Sequence, residues 1–386
     1  MYFPSKYLIA AIIIHGCIGY FEDLIQLIFI KAPVPLGHFY NDSLILHYGY
    51  ILDNDGLSQV MALISNLQIF GSVVSLLVIL PKMDSFGRKF VAIYFRAGLG
   101  FLAAILMLFG KFFTSFELFA VGAVILGATG PIRFGVTKYY ISECSPDEIR
   151  GFITQSLTSV GGIICMIFTV LLLPQFLGND EYWHFTLYIS LGIIVIFVGG
   201  AVFIPESPKF LWLQGKKSEA IKAVKAFHGK YSDISSITFG YDHERSTTNP
   251  KSNHTSLREI WANDALRNSL LLVFAAALVA TFGPLHIYAL YSITLKIKYG
   301  FTNSQAVTFE LFLNLACLPL GYILPFLYEK IGRRPMFLAS VALSLLTAIF
   351  MFLAEAVFEL NDSASNWITF LLGILFTISI ILSISL

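Results

Sequence analysis

Hydrophobic residues fill this chain in long unbroken stretches, each closed by a short polar or charged turn. A bilayer core of about 30 Å needs about 20 apolar residues per helix. Ten stretches approach or exceed that length: Tyr7–Ile30, Val60–Leu80, Phe90–Gly110, Phe116–Ile141, Phe152–Leu173, Phe185–Ile204, Asn268–Leu295, Gln305–Leu327, Pro335–Phe358 and Trp367–Leu386. The runs are continuous rather than alternating, which predicts helices and argues against a transmembrane barrel. The first run is too long for a secretory leader, has a thin basic flank in Lys6 and lacks a small-residue cleavage site, so it is read as the first span. The pattern predicts an all-α, polytopic membrane protein.

Composition agrees. Hydrophobic residues make up 56% of the 386 and charged residues only 13%, about half the charged share of ordinary soluble domains. Twenty-five Lys and Arg face 24 Asp and Glu, so no bulk field attracts a nucleic acid. Cys17, Cys144, Cys165 and Cys317 are scattered, without metal-ligand or paired disulfide spacing. No nucleophile–base pair, metal cluster or phosphate loop is visible, so neither an enzyme, a cofactor nor a metal site is expected.

Basic residues set the expected orientation. With a cytoplasmic amino terminus, 17 Lys and Arg fall on the inside and only Lys31, Lys111, Lys296 and Lys298 on the outside. Two candidate glycosylation sequons, at Asn41 and Asn361, then lie outside, and a third at Asn253 lies inside, where it is inert. The only long polar segment, Pro205–Arg267, separates an amino-terminal bundle (1–204) from a carboxy-terminal one (268–386). Within it Gly215–Gly229 reads as an amphipathic helix, with Ala220, Ile221, Val224 and Phe227 on one face. It suits packing beneath the bundle and, secondarily, anionic lipid. Ser232–Asn253 reads as a mobile polar loop.

One motif occurs twice. Asp84-Ser85-Phe86-Gly87-Arg88-Lys89 follows the second span and Glu329-Lys330-Ile331-Gly332-Arg333-Arg334 follows the eighth, as in two duplicated six-helix halves. Two further segments accompany it: Tyr140-Ile141-Ser142-Glu143-Cys144-Ser145-Pro146 with Arg150-Gly151 after the fourth span, and Pro205-Glu206-Ser207-Pro208-Lys209 after the sixth. Together these resemble the sugar transporters of the major facilitator superfamily, in particular the facilitative glucose transporters. The resemblance runs through the first nine spans and ends within the tenth, so the carboxy-terminal bundle is expected to be incomplete, with about four helices.

That resemblance implies alternating access, with a cytoplasmic ion-pair latch at Asp84, Arg88, Glu143, Arg150, Glu206, Glu329, Arg333 and Arg334. It implies a solute site near the midplane, where this sequence offers Gln155, Thr158, His286, Tyr291 and Asn314. Val279, Ala280 and Cys317 stand where the family carries amides that read sugar hydroxyls. Proton-coupled relatives carry an Asp directly after Gly-Tyr; here Phe21 follows Gly19-Tyr20, and Glu22 is the candidate proton carrier, with Lys138 as an alternative partner for it. Arg133 and Lys138 are read as structural partners of acids across the bundle. The expected function is passive transport of a small neutral solute, with a hexose as the implied case, by a multi-pass protein of the plasma membrane. The alternatives are a non-transporting receptor or partner and a proton-coupled symporter. Solute and lipid bilayer are the expected partners; the sequence leaves the oligomeric state open.

Overall fold

The computed structural model describes residues 5–229, 233–247, 261–282, 284–298, 301–331 and 333–358, together with Leu371 and Ile374. The chain forms two compact units, Met1–Thr238 and Phe239–Leu386, and no strand occurs among the described residues.

In the first unit, α1 (Lys6–Gly16) and α2 (Phe21–Lys31) form one span through a single 3₁₀ turn at Ile18–Tyr20. The Ser5 hydroxyl caps α1 by accepting from the Leu8 N–H. No element was predicted between the first two spans, yet α3 (Pro33–Tyr48) folds there. Pro33 stands at its first position, where a missing N–H costs nothing, and Gly49 closes it at φ +66°. Next, α4 (Asn54–Val74), capped by Asp53, continues through a π-helical turn at Ser75–Ile79 and a 3₁₀ turn into α5 (Met83–Phe86). A second π turn, Phe90–Phe95, leads into α6 (Arg96–Phe112). Ser115 caps α7 (Phe116–Pro131), and a third π turn, Ile132–Thr137, passes into α8 (Lys138–Cys144). The unit continues with α9 (Arg150–Leu171), α10 (Phe185–Ala201), α11 (Pro208–Leu213) and α12 (Lys217–His228), and α13 (Ile234–Thr247) begins in it and ends beyond Thr238.

Within the expected mobile loop Ser232–Asn253, residues 234–247 form the helix α13, and residues 232 and 248–253 lie outside the described residues. Asp233 supplies the start signal, its side chain accepting from the N–H groups of Ser235 and Ser236 at 3.0 and 3.3 Å. The amphipathic helix forms as α12, with Ala220, Ala223, Val224 and Phe227 buried against the bundle and Lys217, Lys222 and Lys225 exposed.

Close helix packing in this unit depends on missing side chains. A Cβ on Gly127 would lie 2.0 Å from the Gln68 carbonyl oxygen, and one on Gly71 would lie 1.9 Å from that of Val124. The backbones of α4 and α7 therefore touch, as small residues permit between membrane helices. Ser72 Oγ, donating to the Gly127 carbonyl at 2.7 Å, bridges the same contact. Two buried clusters fill the interior. One gathers Leu8, Phe21, Ile132, Tyr140, Phe197 and Phe227; the other gathers Ile28, Phe39, Tyr40, Phe119 and Trp183 beneath α3.

The second unit contains α14 (Asp264–Phe282), α15 (Pro284–Lys298), α16 (Asn303–Ile331) and α17 (Arg333–Phe358). The tenth predicted span lies outside the described residues except for Leu371 and Ile374. Among the described residues, Lys6–Lys31, Asp55–Phe86, Phe90–Phe112, Phe116–Cys144 and Arg334–Leu353 are long and apolar enough to cross a membrane. Their outward surfaces are hydrophobic: Leu77, Phe112 and Phe352 are 72%, 80% and 75% exposed. Such a surface suits lipid and not water.

Candidate functional site

The charged turn after α5 begins with a backbone requirement. Gly87 adopts φ +98° and ψ 152°, a region essentially reserved for glycine, and a Cβ there would stand 2.6 Å from Glu206 Oε2. The turn thus delivers the Lys89 N–H to Glu206 Oε1 at 2.8 Å, and the Ser207 N–H reaches the same oxygen at 2.8 Å. Arg88 donates toward Asp84 Oδ1 at 2.9 Å, and its Nε lies 3.3 Å from Glu143 Oε2 without a formed hydrogen bond. Its guanidinium rests 4.9 Å above the Phe210 ring. Ser207 Oγ, fully buried, donates to Glu143 Oε2 at 2.5 Å. Five predicted rim residues are therefore accounted for in detail. Asp84, Arg88, Glu143 and Glu206 gather around Arg88 and the Gly87 turn; Arg150 instead pairs with Asp147 and donates to the Ser142 carbonyl at 3.0 Å. Burial pushes the Glu206 carboxyl above the ordinary glutamate range, against the pull of two backbone N–H groups and of Arg88 and Lys89. The repeated turn in the second unit is less informative: Arg334 is exposed, while the side chains of Glu329 and Arg333 lie outside the described residues.

A second set of charges lies inside the spans. Glu22 meets Arg96, at 2.5 Å between Nε and Oε1 and 2.6 Å between Nη2 and Oε2, and not Lys138. Arg96 also donates to the Gly19 carbonyl, reaches Thr137 Oγ1 at 3.4 Å, and stacks against Phe21 and Phe197 at 5.0 and 5.4 Å. Arg96 stands within the apolar run Phe90–Gly110, where its charge is masked by its neighbours; a fully buried arginine in a span is itself the signal. Arg133 has the acid partner expected of it, pairing with Asp23. Its guanidinium stacks on Tyr20 and Phe134 at 4.9 and 4.1 Å. Lys138 has no carboxylate partner among the described residues; Phe134 lies 5.9 Å from its Nζ. In the second unit Lys296, expected in an outside loop, is fully buried and paired with Glu310. Gln26 and Gln68, also unforeseen, join α2 to α4 through a hydrogen bond of 2.9 Å, donated by Gln26 Nε2 to Gln68 Oε1.

The predicted solute residues are divided between the units. Thr158 is half-buried on α9, beside Leu157, whose carbonyl accepts from Tyr20 Oη at 3.1 Å. Tyr291 and Asn314 are half-buried on α15 and α16, while the side chains of Gln155 and His286 lie outside the described residues. Of the sequons, Asn361 lies outside the described residues. Asn41 sits within α3, its Oδ1 accepting from the Leu52 N–H at 3.0 Å, and the buried Ser43 hydroxyl accepts from the Phe116 N–H at 2.8 Å.

Apolar helices carrying a charged cluster at one rim and ion pairs within the spans define a multi-pass membrane protein of the major facilitator fold. The chain belongs to the family described as "Sugar (and other) transporter", whose model matches residues 16–384. It is similar to the solute carrier family 2 facilitated glucose transporter member 9 of Pongo abelii, with 32% identity over 211 residues, 53% of this chain and 36% of that one. It is also similar to member 9 of Mus musculus, with 25% identity over 351 residues, covering 89% of this chain and 63% of that one. The chain spans less than two thirds of the length of these relatives. Among solved structures, the partially occluded inward-open xylose transporter of E. coli superposes with a TM-score of 0.73 at 15% identity, over 99% of this chain and 83% of that one. At that identity the likeness concerns the fold.

Proposed function

We propose that this chain moves a small hydroxylated solute of the hexose class across the plasma membrane by facilitated diffusion, with its amino terminus in the cytoplasm. The observation that carries the reading is the rim cluster, in which Arg88 stands between Asp84 and Glu143 while Glu206 holds two backbone N–H groups. Partly exposed ion pairs contribute little singly. Gathered at one rim, such contacts can bias two bundle arrangements by a few kcal/mol and still release, as alternating access requires. Asp84, Arg88, Glu143 and Glu206 are the proposed latch, with Glu329, Arg333 and Arg334 as its counterpart in the repeat; Arg150 braces the turn beside it.

Facilitated diffusion is favoured over proton symport by the state of Glu22. Both its oxygens already accept from Arg96, so a proton-carrying role requires that buried pair to open first. A second reading, a non-transporting receptor or partner that keeps the fold, is favoured by Val279, Ala280 and Cys317 at positions where sugar-reading amides are expected. Uptake of labelled hexoses into proteoliposomes containing the 386-residue chain separates the two. Saturable, counterflow-competent uptake supports transport. Its absence from correctly inserted, folded protein rejects it.

A further inference from the structure

The first unit carries a surplus cation within its spans, and local helix geometry explains how it arises. A π turn bonds i to i+5 and is disproportionately found at functional sites. The turn at Ile132–Thr137 begins directly after Pro131, and it separates Arg133 from Lys138 by that same interval. Both cations consequently address one aromatic ring: Phe134 lies 4.1 Å from the Arg133 guanidinium and 5.9 Å from Lys138 Nζ. Arg133 is neutralised by Asp23 and braced by Tyr20 at 4.9 Å. Lys138 is not neutralised: it is half-buried, and among the described residues no carboxylate pairs with it.

An unpaired ammonium within a span is costly and is retained where something repays it. A ring shared by two cations lowers that cost without cancelling the charge. The same chain has Val279, Ala280 and Cys317 where the resemblance implies amides that read neutral hydroxyls. Hydroxyl readers are thus fewer, while one positive charge has no counter-ion among the described residues.

We infer that Lys138, flanked by the Asp23–Arg133 pair and Phe134, forms a subsite for a solute carboxylate, so that the favoured substrates are acidic sugars and not their neutral parents. This rests on the transporter reading above and narrows its substrate class. The solute carboxylate would take the place of the missing counter-ion at Lys138 and accept a charge-assisted hydrogen bond from Nζ. The Arg133 guanidinium, held by Asp23 and two rings, keeps its place beside it. The rival explanation is that Lys138 extends its ammonium to the nearest water and binds nothing.

The test compares D-glucuronate with D-glucose, which share a ring and differ at C6, on the 386-residue chain in nanodiscs and in proteoliposomes. Glucuronate should bind at least about tenfold more tightly than glucose, the order of one charge-assisted hydrogen bond. K138M, which keeps the apolar stem, should remove that preference while leaving glucose binding within about twofold, and K138R should retain most of it. Equal binding of the two sugars, or a preference unmoved by K138M, overturns the subsite and leaves the transporter reading intact. Binding and uptake of neither sugar by folded protein overturns both.

Discussion

Arg96 of α6 and Glu22 of α2 meet through two short contacts of 2.5 and 2.6 Å in a setting where Arg96 is fully buried. Removing one partner of such a pair leaves an uncompensated charge, which costs about 3–5 kcal/mol, whereas replacing both by apolar groups is often nearly neutral. R96M and E22Q should therefore each lower the thermal unfolding midpoint in detergent strongly. An R96M/E22M double variant should recover most of the loss. Additive losses in the double variant would contradict the pairing.

Gly87 makes the rim turn available to Glu206. G87A should cost about 1–3 kcal/mol, because alanine is strained at φ +98° and its methyl group intrudes on the Glu206 carboxylate. Trypsin should then cut faster at the turn holding Lys82, Arg88 and Lys89 at fixed temperature. Protection equal to the parent would show that the turn tolerates a side chain.

At the contact of α4 with α7, G127A places a methyl group against the Gln68 backbone, which cannot swing aside as a side chain could. Overpacking of this kind costs about 1–3 kcal/mol. G192A on α10, whose new methyl meets nothing within 4 Å and which no proline follows, is the control and should be neutral or slightly stabilising. Unfolding midpoints in a common detergent measure both, and equal midpoints for the two variants would argue against the backbone contact.

His228 closes α12 against the bundle, and burial lowers its pKa below the ordinary histidine value, with Asp147 and Glu148 opposing and Arg150 assisting. The unfolded segment therefore takes up a proton at a higher pH than the folded one does. Docking of α12 is favoured above about pH 6.5 and weakens as pH falls below that value. Amide exchange over residues 217–228, corrected for intrinsic rates, should rise between pH 7.5 and 5.5, and H228Q should flatten the dependence. An unchanged profile in H228Q would assign the effect elsewhere.

Much of this architecture could be read from the chain because lipid imposes a simple rule: spans must be long, apolar and helical. The charged turn of the first unit was equally legible, since Gly87 and its neighbours combine a backbone need with charges that must meet something. Other features were hidden for identifiable reasons. The segment forming α3 lacks strong periodicity, and its helix depends on Pro33 at one end and Gly49 at the other. The helix α13 turns on one capping residue, Asp233, within a polar stretch. Arg96 and Lys296 were lost among apolar neighbours or at the edge of a predicted span, because pairing with Glu22 and Glu310 is a property of two helices and not of either alone. The proposed solute site is legible only as a set of departures from the family pattern, Thr158 and Cys317 among them, since the absence of an amide does not specify what replaces it.

The irregular turn at Ile132–Thr137 has a mechanical consequence. Were it to tighten by one residue into ordinary α geometry, everything beyond it on the same helix would rotate by about 100°. Lys138 and Glu143 both lie on that downstream segment, one within the bilayer and the other at the rim. Torsion at a single point would thus swing the Lys138 ammonium and the rim carboxylate together, like two teeth on one shaft.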